Sequence, residues 1–401
     1  MRLASRVDRI EPFWVMECAK TADEIARSPA CDPARGGEPM VYLNIGEPDF
    51  TAPGLVAEAA QRCIADGRTQ YTPAAGLPAL REAISGWYRS RFGLDIAPQR
   101  IIVTAGASAA LQLACAALVD IGDEVLMPDP CYPCNRHFVA ACGGEARLLD
   151  TGAERHFQLD ADTVALAWGA QTRGVLLASP SNPTGTSIRS AEMARIVQQV
   201  HQRGGWCIVD EIYLGLTFDP VHATSALAFG DDVICINSFS KYFGMTGWRL
   251  GWLVVPPALV APIEKLAQNL YICASAVAQH AALACFAPQS LALCEARREA
   301  LRERCEYIVP ALQGLGLDVP VRPDGAFYAW FDTSRHARSS WDFCFDMMRR
   351  AHVALTPGRD FARRDADRYA RLSFASSMEQ LRQAVRRLSR ELGVAVAQGA
   401  P

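Results

Sequence analysis

The chain has 401 residues, half of them hydrophobic and 21% charged, with a formal net charge of −3. That length suits two domains, or one large α/β domain with an appendage, and the charge balance argues against a nucleic-acid partner. No apolar run approaches the length of a membrane span, and Met1-Arg2-Leu3-Ala4-Ser5-Arg6 lacks the apolar block of a secretory signal. The 14 cysteines follow no regular spacing, and several (Cys115, Cys207, Cys235) sit inside apolar runs. They read as small core residues in a reducing compartment, so a cytoplasmic protein is expected. Cys131-Tyr132-Pro133-Cys134 has CxxC spacing, but no second pair or suitably spaced histidines accompany it. No metal site is expected there, and a redox role is disfavoured so far inside a large chain.

An amphipathic stretch over 13–20 suggests a helix, followed by a Pro- and Gly-rich loop over 28–39 and a short strand over 41–43. Asn44-Ile45-Gly46-Glu47-Pro48-Asp49 is a turn by composition. Helices are expected over 55–66 and 78–92, separated by the loop Tyr71-Thr72-Pro73-Ala74-Ala75-Gly76. From residue 100 apolar strands recur, at 101–104, 124–127, 146–149, 174–178, 206–209, 233–236 and 250–255, with helices between several, as after Ser108 to about 119 and at 191–202. Continuous apolar strands with helical crossovers predict a parallel sheet covered on both faces, with ligands at the carboxyl ends of its strands. After 255 come a helical region to about 287, a long charged helix over 291–315, a strand region over 325–330, a helix over 378–392 and a short Ala/Gly tail after 393. The expected division is a large domain over 46–289 and a smaller one over 290–401, with the segment 1–45 packed against the latter.

Several polar groups stand just past these strands. Lys241 lies in Ser238-Phe239-Ser240-Lys241, on a turn rich in hydroxyls and glycines between two core elements, with Arg249 eight residues on. A lysine held covalently to an aldehyde cofactor, with serines and an arginine on its phosphate, explains this stretch; a surface lysine on a glycine-rich loop explains it equally. The strand at 174–178 opens into Ser179-Pro180-Ser181-Asn182-Pro183-Thr184-Gly185, a stiff turn that aims Asn182 either at a phenolate-like oxygen or back at its own backbone. Asp210, directly after a buried strand, is either a helix N-cap or a carboxylate beside a cationic ring nitrogen. In the second role, at ~3 Å and an effective dielectric of ~20, the attraction is about 5 kcal/mol before desolvation. Tyr213 is placed to share the ring oxygen with Asn182. Gly106-Ala107-Ser108 joins a strand to a helix and could bind an anion through free N–H groups, yet no GxGxxG or GxxxxGK[ST] nucleotide loop is present. Tyr132 could stack on a flat ring or fill the core, and Arg371 could clamp a carboxylate or form a surface ion pair.

Together, Asn182-Pro183-Thr184-Gly185, Asp210-Glu211-Ile212-Tyr213, Ser238-Phe239-Ser240-Lys241, Gly247-Trp248-Arg249 and Arg371-Leu372-Ser373-Phe374 resemble the class I/II aminotransferases. These are the fold-type I pyridoxal-phosphate enzymes related to aspartate aminotransferase. The 44–49 and 71–76 stretches match as well, so the resemblance covers nearly the whole chain. It implies an α/β fold with a mainly parallel seven-stranded sheet in a large domain and a smaller α+β domain. It implies pyridoxal 5′-phosphate as cofactor and Lys241 as the Schiff-base lysine and proton carrier. Asp210 would partner the pyridine nitrogen, Asn182 and Tyr213 the ring oxygen, and Tyr132 the ring face. Ala107, Ser108, Ser238, Ser240 and Arg249 would hold the phosphate. Tyr71 would reach the phosphate of a neighbouring subunit, implying a homodimer with shared sites. Arg371, with the Gly46 backbone and Asn182, would receive the substrate α-carboxylate.

One departure bears on substrate. Relatives specific for aspartate often carry a lysine in the first helical turn after the glycine pair, where this chain has Ser108 followed by Ala109-Ala110. The expectation is ping-pong transamination from a neutral or apolar L-amino acid to a 2-oxo acid. A β-eliminating lyase on the same cofactor is the alternative, since the motifs do not separate the two. A ligand-sensing DNA-binding regulator is disfavoured, because no basic helix-turn-helix unit precedes the enzyme pattern.

Overall fold

The computed structural model describes residues 2–394; the expected tail after 393 lies almost wholly outside them. Seven strands form the main sheet: β1 (Ile101–Thr104), β2 (Glu124–Asp129), β3 (Glu145–Asp150), β4 (Thr172–Ala178), β5 (Trp206–Asp210), β6 (Val233–Ser238) and β7 (Gly251–Val254). Their spatial order is β1-β7-β6-β5-β4-β2-β3. The alternation of side chains decides the layers. Along β5, Cys207 and Val209 face one buried core while Ile208 faces the other. Helix Ser190–His201 covers the first face, and helix Ala107–Leu118 the second.

One strand departs from the expected parallel sheet. β7 runs antiparallel to both β6 and β1, whereas the other pairs are parallel. The segment joining β6 to β7 holds the short 3₁₀ turn Thr246–Trp248 and no α-helix, so it lacks the crossover that a parallel return needs. Six strands therefore present their carboxyl ends on one edge.

The C-terminal part of the chain builds a second, smaller sheet. Strand Tyr328–Asp332 pairs antiparallel with Tyr369–Ser373, which in turn pairs with Thr356–Pro357. Helices Pro288–Gly314, Ser340–Arg350 and Met378–Leu392 accompany this sheet. The N-terminal strand Val41–Tyr42 joins Val353–Ala354 in parallel, and Cys18, Ala22 and Met40 share a core with Met348 and Ala354. No single helix among the described residues is long and apolar enough to cross a membrane.

Candidate active site

A cavity opens where the carboxyl ends of β1, β2, β4, β5 and β6 meet the smaller sheet. Its walls include Gly46, Ala107, Ser108, Tyr132, Asn182, Asp210, Tyr213, Lys241, Tyr328 and Arg371. Each large-sheet contribution follows from a strand ending: the chain must turn there, and the turn residues face the crevice.

Lys241 follows β6, and its Nζ donates to the Gly46 carbonyl at 2.6 Å. Burial is the main influence on its acidity and pulls it down to about 8, against the opposing charge of Glu47. Asp210 is the last residue of β5 and is buried; burial pushes it up to about 7. Its carboxylate accepts one hydrogen bond, from the Ile212 N–H at 3.1 Å, which leaves most of its acceptor capacity facing the cavity. The two groups are thus both displaced toward their neutral forms.

Arg371 lies on the smaller sheet and is 2% exposed, with no carboxylate partner among the described residues. This is no surface ion pair. Its two terminal nitrogens donate to Asn182 Oδ1 at 2.8 Å and to the Asn44 carbonyl at 2.6 Å. The guanidinium is sandwiched between the rings of Tyr328 (4.5 Å) and Phe361 (4.6 Å). Asn182 is therefore oriented by the arginine rather than by its own backbone. Tyr213 is buried, and its hydroxyl lies 2.7 Å from that of Tyr328.

At the start of helix Ala107–Leu118 the backbones crowd together. A Cβ on Gly251 would lie 2.8 Å from the Ala107 nitrogen, and one on Gly106 would lie 2.6 Å from an Arg249 guanidinium nitrogen. Gly106 has φ +89°, so glycine is required there twice over. Ser238 and Ser240 sit behind this corner, linked hydroxyl to hydroxyl at 2.9 Å.

The match to the family described as aminotransferase class I and II spans residues 38–388. The chain belongs to the class I and II aminotransferases. It is 34% identical over 380 residues to a valine–pyruvate aminotransferase of Mycobacterium tuberculosis, covering 94% of this chain and 96% of that one. It is likewise 34% identical to an aspartate/prephenate aminotransferase of Thermus thermophilus, covering 98% and 99%. The crystal structure of an aminotransferase from M. tuberculosis superposes with a TM-score of 0.93 at 34% identity, over 98% and 99% of the two chains. The chain is a transaminase with the fold of the aspartate aminotransferases.

In this aminotransferase Gly46, Ala107, Ser108, Tyr132, Asn182, Asp210, Tyr213, Lys241 and Arg371 share one cavity. Ser238, Ser240 and Arg249 do not line it; Arg249 stands at its corner against Gly106, while Ser238 pairs with Gly251 on the neighbouring strand and bonds Ser240. Tyr71 lies apart and is 81% exposed. Nine further residues complete the wall, among them Tyr328, Phe13 just before the N-terminal helix Trp14–Ala26, and Val15 and Met16 in its first turn. That helix is pinned by Asp360, whose carboxylate accepts from the Trp14 and Val15 N–H groups at 3.0 and 2.5 Å. A conventional N-cap signal is missing because the cap comes from a residue far along the chain. Tyr132 meets Phe13 edge-on at 6.2 Å, which closes the wall between the two segments. Cys131 is buried, Cys134 half-buried, and both are free thiols at the start of helix Pro133–Ala141.

Proposed function

We propose that this transaminase uses pyridoxal 5′-phosphate to exchange an amino group between a neutral or apolar L-amino acid and a 2-oxo acid. The observation that carries the substrate reading is the composition of the cavity wall. Its cations among the described residues are Lys241 and Arg371, and the space around them is faced by Phe13, Val15, Met16, Ile45, Leu111 and Ile212. A donor's distal carboxylate would be desolvated against these side chains without a partner. The similarity to a valine–pyruvate aminotransferase supports this reading, and the equal similarity to an aspartate/prephenate enzyme makes the test necessary.

The residues present fit the cofactor. The corner where Gly106, Gly251, the Ala107 N–H and Arg249 leave no room for a side chain suits a phosphate at a helix N-terminus, with Ser108, Ser238 and Ser240 adding hydroxyls. Asp210, with one hydrogen bond, suits a ring nitrogen that carries a proton. Tyr132 would cover the ring face, and Asn182 and Tyr213 would donate to its oxygen. When bound, the cofactor supplies an electron sink that acidifies the donor's Cα–H. Arg371 receives the α-carboxylate on its fork, with Gly46 and Asn182 beside it, and so fixes the Cα–H toward Lys241. The Lys241 amine, lowered to about 8 by burial, is neutral often enough near pH 7–8 to take that proton at Nζ.

Tyr71, outside the cavity of its own chain and largely exposed, is read as reaching the phosphate of a second copy in a homodimer. The domain division proposed is 46–289 and 290–401, with 1–45 on the second. The free cysteines suit a reducing cytoplasm. No observation favours elimination over transfer. A donor screen tests the substrate reading: valine, alanine or aromatic donors should exceed aspartate in kcat/KM by tenfold or more, and aspartate as best donor overturns it.

A further inference from the structure

Tyr328 is a buried phenol in the cavity wall to which the reaction described above gives no task. Three contacts fix it. On its strand it opposes Ser373, so Arg371 stands diagonally on the neighbouring strand, with its guanidinium 4.5 Å over the Tyr328 ring. The ring meets Tyr213 edge-on at 5.6 Å, and the two hydroxyls are 2.7 Å apart. On the remaining side the hydroxyl oxygen rests against Gly46, where a Cβ would overlap it. The phenol therefore touches the carboxylate grip, the segment holding Lys241 and the donor to the ring oxygen.

Counting protons gives this contact a direction. Each phenol has one proton, and burial pushes both above the ordinary phenol range, so both keep it at working pH. If Tyr213 donates to Tyr328, it has nothing left for an oxygen in the cavity. If Tyr328 donates to Tyr213, the Tyr213 proton is free to point inward, and a donor that is itself receiving a hydrogen bond is strengthened. The Arg371 cation over the ring draws electron density from the Tyr328 hydroxyl and favours it as the donor.

We propose that Tyr328 is a positioning residue that donates its hydroxyl proton to Tyr213, committing Tyr213 as the donor to the cofactor's ring oxygen. The inference rests on the role given to Tyr213 under the proposed function. Its consequence is electrostatic. A ring oxygen relieved by a strong donor holds less tightly the proton carried at Lys241 Nζ, so that proton leaves at lower pH. The other charged or titratable groups facing this proton are Asp210, Arg371, Glu47 and Arg249, and none of them changes in the variants below.

The test is Tyr328→Phe in the holoenzyme, which keeps the ring under Arg371 and against Gly46 and removes only the hydroxyl. The readout is the pH midpoint of the bound cofactor's visible absorption band. Loss of one hydrogen bond's net contribution should raise this midpoint by about 0.5–1, with the donor KM changed less than about twofold. Tyr213→Phe should raise it further, and adding Tyr328→Phe to Tyr213→Phe should raise it no more. If Y213F moves the midpoint and Y328F does not, the inference fails while the role of Tyr213 stands. If neither moves it, both fail. If Y328F adds its full shift to Y213F, Tyr328 acts without Tyr213 and the inference is overturned.

Discussion

Replacing Arg371 by lysine keeps the positive charge and removes the fork. In the structure one terminal nitrogen is directed by Asn182 Oδ1 and the other by the Asn44 carbonyl, while Tyr328 and Phe361 clamp the plane from either side. A carboxylate approaching along that plane gains two charge-assisted hydrogen bonds; an ammonium held by the same two acceptors can offer about one. The lost bond amounts to about 1.5–3 kcal/mol, so kcat/KM for a neutral L-amino acid should fall about 10- to 150-fold. Arg371→Ala also leaves Asn182 Oδ1 without its donor, and the combined loss of about 3–5 kcal/mol corresponds to roughly 150- to 5,000-fold. The fold should survive, because the Asn44 carbonyl also accepts from the Thr356 hydroxyl at 2.9 Å. Single-turnover spectra should be taken with alanine and with ethylamine, which lacks the carboxylate. The ethylamine rate, low in every form, should barely change. Equal losses for the two amines would refute the reasoning, because the arginine would then be maintaining the site rather than gripping a carboxylate.

The parts of this site that were legible in the sequence share one property: each polar group lies within a few residues of an apolar strand. The hydrophobic runs at β4, β5 and β6 mark where the sheet ends, and Asn182, Asp210 and Lys241 follow those ends in the chain itself. Strand direction was not legible in the same way. The apolar run at β7 looks like its neighbours, and only the helix-free connection from β6 betrays an antiparallel return. The elements around Tyr328 and Phe13 were legible, but their place in the cavity wall was not. Tyr328 reaches the cavity because its strand pairs with the one bearing Arg371, and Phe13 because the Asp360 carboxylate pins the following helix. Both placements depend on partners remote along the chain, and no local pattern of residues encodes them. The short helix Pro133–Ala141 carries little local signal, since its first residues, Pro133 and Cys134, belong to the CxxC stretch.

Lys241→Ala should fold and retain the cofactor without a covalent bond, since its Nζ makes one hydrogen bond, to the Gly46 carbonyl; transamination should vanish, and a fully active variant sinks the assignment. Asp210→Asn gives a second, pH-resolved prediction in the cofactor-free protein. Burial raises Asp210 from an ordinary value of 3.8 to about 7, so between those values the folded chain binds a proton that the unfolded chain has released. This group's contribution is therefore complete below about pH 4 and is lost as the pH rises through 7. Asparagine does not titrate; Glu211, raised to about 7 chiefly by burial, is present in both proteins, and D210N removes only the lesser contribution that the Asp210 charge makes to it. Relative to wild type, D210N should gain stability from pH 5 to pH 8, by about 2.5 kcal/mol. Chemical denaturation of both cofactor-free proteins at the two pH values measures it. Saturating cofactor should reverse the sign, because the carboxylate then faces a protonated ring nitrogen that an amide cannot neutralise. A stability difference that is flat with pH would mean that Asp210 is already ionised in the empty cavity, and the cofactor would then have no proton to displace from it.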